Sequence, residues 1–233
     1  MKHYILILAT IITFLLPVQS WGGNFQKGVD AYAKGDYKTA MKEFKPLAEQ
    51  GDDRAQYNLG LMYYNGQGVT QNNKETVKWF TLSAEQGFAM AQYNLGFMYS
   101  NGLGVTQDNK EAVKWYTLSA EKGFAKAQYN LGINYYKGLG VTQDYKEALK
   151  WYILSAEQGY TDAQYNLGLM YGLGEGVIED FIRGYMWINI VASNGSNLAS
   201  GARDFLAKKM TPSQISEAQK LARECVTKNY KGC

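Results

Sequence analysis

Histidine is almost missing from this 233-residue chain, the only one being His3 at the extreme N-terminus. If the first segment is removed no imidazole is left, which excludes a Ser-His or Cys-His nucleophile pair and a His-ligated zinc or haem. Cysteine is nearly as scarce. Cys225 and Cys233 are the only two; their spacing is not that of a metal motif, and in an oxidising compartment they can close on each other as a disulfide. A cross-link to another chain and a pair of free thiols are the competing readings. An excess of one charge is also absent. The 24 basic and 21 acidic residues leave a formal +3, too small and too evenly spread for a nucleic-acid partner. The single concentration, Lys208, Lys209, Lys220, Arg223, Lys228 and Lys231, reads as the solvated face of terminal helices.

Long apolar runs are missing beyond the first twenty residues. Residues 4–16 form an uncharged, mostly apolar run after Lys2 and His3, followed by Pro17-Val18-Gln19-Ser20. That reads as a secretory signal, with cleavage expected near Ser20. The run is shorter than the roughly 20 residues of a membrane span; an uncleaved anchor is the alternative. No Cys ends it, so no lipid is expected there.

Glycine and tyrosine are in excess, 25 and 19 residues against three prolines, and an internal repeat accounts for both. Ala55-Gln56-Tyr57-Asn58-Leu59-Gly60 returns unchanged at residues 91–96, 127–132 and 163–168, every 36 residues without a gap. A fixed period of this length marks a solenoid whose units bury their apolar faces against their neighbours. In each unit, helix A (residues 52–65 in the first full copy) carries Ala55, Leu59, Met62 and Tyr63 on one stripe. The glycine at Gly60 and its equivalents predicts a close approach of another helix backbone. A Gly-x-Gly-Val turn follows, Gly66-Gln67-Gly68-Val69 in the first copy, its first glycine suited to positive φ. Helix B then opens at Asn72, Asp108, Asp144 and Asp180, good N-caps. It carries Thr76, Trp79, Phe80, Ser83 and Ala84, and Trp79, Trp115, Trp151 and Trp187 read as packing wedges. Residues 24–51 repeat the two-helix pattern with a loop four residues shorter and read as an N-terminal cap unit. Beyond the array, residues 196–233 read as a C-terminal helical cap, with Thr211, Pro212 and Gln214 forming a capping-box start.

These features, Ala-x-x-x-Leu-Gly, Tyr, Gly-x-Gly-Val, Asp, Trp and a closing Ala-x-x-Gly over residues 52–195, resemble the Sel1-like repeat family. The resemblance implies an all-α fold, a right-handed α-solenoid of about six antiparallel helix pairs related to tetratricopeptide arrays. It implies an adaptor that assembles other proteins, without cofactor, metal or catalysis, and, in exported bacterial members, a place in the periplasm or outside the cell. A monomer is expected.

Catalytic motifs dissolve into the repeat. Ser119-Ala-Glu-Lys122 matches the Ser-x-x-Lys pattern of penicillin-recognising enzymes, but Ser83-Ala-Glu-Gln86 and Ser155-Ala-Glu-Gln158 occupy the same register. Gly172-Leu-Gly174-Glu-Gly176 lies between helices, not after a strand, and is a turn rather than a phosphate cradle. Glu75, Glu111 and Glu147 suit the first turn of helix B.

What remains is a surface. With 100° per residue, the side of helix A opposite the core presents Arg54, Tyr57, Leu61, Tyr64 and Asn65; Met90, Tyr93, Phe97 and Asn101; Lys126, Tyr129, Ile133, Tyr136 and Lys137; and Asp162, Tyr165 and Leu169. These are the candidate partner-binding residues of a concave groove for a protein or peptide segment. The four tyrosines from the hexapeptide fit packing between neighbouring helices equally well. Positions that differ between copies are the better candidates for specificity. A glycan or peptidoglycan fragment is the alternative ligand, and a β-lactamase-like envelope enzyme the remaining one.

Overall fold

The computed structural model describes residues 24–233, so the leader reading of residues 1–20 lies outside the described part. Among the described residues there are twelve helices and no strand: α1 (Phe25–Ala33), α2 (Tyr37–Glu49), α3 (Asp53–Asn65), α4 (Asn73–Glu85), α5 (Ala89–Asn101), α6 (Asn109–Glu121), α7 (Ala125–Lys137), α8 (Tyr145–Ala156), α9 (Thr161–Leu173), α10 (Phe181–Ser193), α11 (Asn197–Ala207) and α12 (Pro212–Thr227). No helix among them is long and apolar enough to cross a membrane. From α1 to α10 the odd-numbered A helices and even-numbered B helices alternate. Each B packs on its own A and on the A of the next unit. This is the solenoid that the 36-residue period predicts.

Local chemistry sets the ends. Asn72, Asp108 and Asp144 each accept hydrogen bonds from the backbone N–H groups two and three residues on, closing the starts of α4, α6 and α8. Gly66, Gly102, Gly138 and Gly174 end the A helices in the left-handed region, with φ of 68°, 66°, 69° and 69°. The second glycine of each turn does more than bend the chain. A Cβ on Gly104 or Gly140 would lie 2.2 Å from the carbonyl oxygen of Asn73 or Asn109. Each turn thus rests on the start of the preceding B helix, a site only glycine fits.

The glycine in the middle of each A helix corrects the sequence reading. Its close neighbour is mainly a side chain of the unit's own B helix rather than another backbone. A Cβ on Gly60, Gly96, Gly132 or Gly168 would stand 2.6, 2.8, 2.7 or 2.7 Å from Phe80, Tyr116, Tyr152 or Ile188. The glycine makes room for a large side chain laid across the helix.

Two polar fasteners recur. The buried amides of Gln56, Gln92, Gln128 and Gln164 donate to the carbonyls of Ala48, Ala84, Ala120 and Ala156 in the last turn of the preceding B helix, at 3.1 to 3.2 Å. Within a unit, Ser83, Ser119 and Ser155 donate to the carbonyls of Asp53, Ala89 and Ala125 at 2.7 to 2.8 Å. Ser119 is therefore fully buried and bonded like its counterparts, and the Ser-x-x-Lys pattern there is a packing feature. The B-helix tryptophans pack into the same interior, Trp79 beside Met62 and Trp115 beside Met98.

At the far end both α11 and α12 pack on α10. The capping box of Thr211 and Gln214 opens α12 as expected. Cys225 and Cys233 are bonded through sulfur. The loop they close reaches back along the stack, where the Gly232 N–H donates to Glu157 at 2.9 Å.

Candidate partner-binding groove

The open side of the A helices is built from the hexapeptide outward. Tyr57, Tyr93 and Tyr129 are half-buried, and each stands between two other rings. Tyr57 lies 5.7 Å from Phe80 and 5.1 Å from Phe88; Tyr93 lies 5.9 Å from Tyr116 and 5.2 Å from Phe124; Tyr129 lies 5.8 Å from Tyr152 and 5.1 Å from Tyr160. Such tilted and offset pairs add about 0.5–1.5 kcal/mol beyond the area they bury. The two readings of these tyrosines therefore meet: one edge packs between units and the other faces outward. Tyr165, also half-buried, has Ile188 in place of the first ring and Ser196 in place of the second.

From the second copy on, the asparagine after the tyrosine reaches across to the preceding unit; in the first copy Asn58 donates to the Arg54 carbonyl of its own helix instead. Asn94 donates its amide to the Tyr57 hydroxyl at 3.4 Å, while Asn130 adjoins the hydroxyls of Tyr93 and Tyr116, and Asn166 those of Tyr129 and Tyr152. Burial holds the phenol of Tyr116 up to about 12. Burial and the adjoining Glu175 do the same for Tyr136, so these rings are neutral at physiological pH.

Of the other candidate residues, Leu61, Tyr64, Phe97, Ile133, Tyr136 and Leu169 are half-buried along the same side, while Arg54, Met90, Asn101, Lys126, Lys137 and Asp162 are exposed at its edges. The Arg54 guanidinium lies 4.4 Å from the Phe25 ring. Two hollows open between these side chains. One, of about 190 Å³, is lined by Leu61, Tyr64, Phe80, Asn94, Phe97 and Met98 together with Tyr93. The other, of about 380 Å³, is lined chiefly by Ile133, Tyr136, Tyr152, Asn166, Leu169 and Met170, with Tyr129, Lys137, Leu173 and Glu175 around them. Those first six residues are the first hollow's own six shifted by 72, two whole repeats.

Several residues of this face escape a reading confined to the hexapeptide. At 36 residues beyond Asp162 and Leu169 come Leu198 and Phe205, 69 % and 53 % exposed, with Lys209 5.2 Å from the Phe205 ring. Gly201 stands where a fifth tyrosine would be. The period itself, followed past the last hexapeptide, points to them. Glu175 is another. It accepts from the Tyr136 hydroxyl at 2.9 Å, as Gln67 accepts from the Tyr32 hydroxyl at 2.6 Å near the N-terminus. Among the described residues no cluster of three or more His, Cys, Asp or Glu could hold a metal ion.

Comparison with known proteins agrees with this architecture. The chain is similar to the crystal structure of c5321, a protective antigen of uropathogenic Escherichia coli strains displaying an SLR fold, at 34 % identity and a TM-score of 0.79. The match covers 88 % of this chain but 45 % of that one, so the chain spans less than half of that relative. It is similar to a Sel1 repeat protein from Oxalobacter formigenes at 34 % identity and a TM-score of 0.74, covering 88 % of this chain and 85 % of that one. No curated protein sequence matches. Sel1 repeats are generally used for protein–protein interaction, and their solenoid is typically non-catalytic. The Sel1 repeat model matches residues 53–88, 89–124, 125–160 and 161–196, end to end and in register with the hexapeptides, and the chain belongs to the Sel1 repeat family.

Proposed function

We propose that this chain is an exported, non-enzymatic adaptor whose A-helix face forms a groove that holds a segment of another protein. The observation that carries the reading is a contrast along that face. Its floor repeats, with Leu61, Phe97, Ile133 and Leu169 half-buried in register, and its rim does not, with Arg54, Met90, Lys126 and Asp162 exposed at the same position of successive repeats. A repeated apolar and aromatic floor offers contact area at low conformational-entropy cost, and an unrepeated rim supplies the means of choosing a partner. Export is supported by the apolar leader in the sequence and by the bonded pair Cys225 and Cys233, which an oxidising compartment favours.

The test is crosslinking and pull-down from the cell envelope and the culture fluid, with wild type beside Met90→Asp and Lys126→Glu. Both positions are exposed, so helicity is expected to be unchanged. Loss of one common partner in both variants supports the groove, and retention of every partner in both overturns it. The polar and tyrosine-lined hollow around Lys137 and Glu175 favours a second reading, a glycan fragment. Saturable quenching of intrinsic fluorescence by peptidoglycan fragments, unaffected by Lys126→Glu, would select that reading.

A further inference from the structure

The two hollows are the same socket built twice. Leu61, Tyr64, Phe80, Asn94, Phe97 and Met98 recur as Ile133, Tyr136, Tyr152, Asn166, Leu169 and Met170. Each has an apolar mouth between two neighbouring A helices and an aromatic floor supplied by the B helix between them. Two differences separate the copies. The second is about twice as large, 380 against 190 Å³, and only the second carries charge, Lys137 and Glu175.

The geometry points to an extended peptide that carries two bulky apolar side chains about six residues apart. One enters each socket, and the anchor of the second is Tyr or Trp. This rests on the groove reading above and makes it specific. The spacing follows from the repeat. Packed helices lie about 10 Å apart, so sockets two repeats apart are separated by about 20 Å. An extended chain, rising about 3.3 Å per residue, covers that distance in about six residues. The extended form follows from the groups on the floor. Asn94, in the first socket, donates its amide to the Tyr57 hydroxyl of the preceding repeat, and its carbonyl oxygen accepts no hydrogen bond from the described residues, which suits the free backbone N–H groups of an extended chain. A helix has already used its own. Asn166, its counterpart in the second socket, is shared by the Tyr129 and Tyr152 hydroxyls. The aromatic anchor follows from Glu175. One of its oxygens takes the Tyr136 hydroxyl and the other is left for a phenol O–H or an indole N–H at the socket mouth.

The experiment selects random peptides of 16 residues displayed against the full chain. The winners are then measured by fluorescence anisotropy against wild type, Leu61→Glu and Ile133→Glu, with helicity checked by circular dichroism. The expected outcome is a shared pair of large apolar residues five to seven apart, one of them Tyr or Trp. Each variant should bind at least ten-fold more weakly, about 1.4 kcal/mol. Peptides with two residues inserted between the anchors should lose as much against the unaltered protein, a readout that no folding defect can imitate. Winners with a single anchor, or tolerance of the insertion, overturn the two-socket inference while leaving the groove reading intact if Leu61→Glu or Ile133→Glu still weakens binding. Winners indifferent to both variants overturn the inference and the groove reading together.

Discussion

The first three full repeats and the fourth solve one packing problem with different side chains. In the first three, a ring lies under the A-helix glycine, a tyrosine from the hexapeptide stands over it, and a second ring opens the next A helix. The sets are Phe80 with Tyr57 and Phe88, Tyr116 with Tyr93 and Phe124, and Tyr152 with Tyr129 and Tyr160. In the fourth, Ile188 lies under Gly168 and Ser196 opens α11. The exchange at the helix start is informative. Phe88, Phe124 and Tyr160 sit at N-cap positions and make no side-chain cap bond, whereas Ser196 accepts from Ala199. Forgoing a cap costs about 1 kcal/mol, and the ring pair with its half-burial returns about 2 kcal/mol. Aromatic packing joins one full repeat to the next, and ordinary capping holds at both ends of that series, with Asp52 opening α3 and Ser196 opening α11.

The largest test of this contrast is the ring beneath the glycine. Tyr116→Ala should cost about 3 to 5 kcal/mol and Ile188→Ala less than that, about 2 to 3 kcal/mol, by urea denaturation followed at 222 nm. Equal losses would mean that the two kinds of junction carry the same load. Gly132→Ala comes next. Its Cβ would meet the Tyr152 ring at 2.7 Å, and overpacking of this kind costs about 1 to 3 kcal/mol. Phe124→Ser transplants the fourth junction into the second. It gives up a half-buried ring and gains a cap, for a net loss of about 1 kcal/mol. The smallest effect has the opposite sign. Gly201 has nothing within 4 Å of an added Cβ, so Gly201→Ala should stabilise α11 by about 0.5 to 1 kcal/mol, read as a rise in melting temperature.

The fold was legible because its signals are local and repeated. The period fixed the helix pairs, Gly66 and its counterparts marked the helix ends, and Asn72, Asp108 and Asp144 marked the starts. The partner of the A-helix glycine was not legible. Gly60 and Phe80 are twenty residues apart, and nothing in a sequence distinguishes a ring from a backbone as the neighbour that leaves no room. The two roles of Tyr57, Tyr93 and Tyr129 were hidden for a related reason. A hydrophobic stripe assigns a residue to one face, while a large ring at the boundary between faces serves both. Leu198 and Phe205 are hard to read from the sequence because the hexapeptide ends at Gly168, although the interval of 36 continues to them. Glu175 looked like a turn residue because its bond to Tyr136 spans 39 positions.

The glutamine fasteners carry one more consequence. Each amide binds a backbone carbonyl, at an alanine that recurs with the same interval, so every seam between units is chemically alike whichever neighbours meet there. A block such as residues 89–124 could be lost or doubled without leaving a mismatched joint, since Gln128 would find Ala84 where it now finds Ala120. The molecule can then change its reach in whole steps by gaining or shedding a module, while its joinery stays constant.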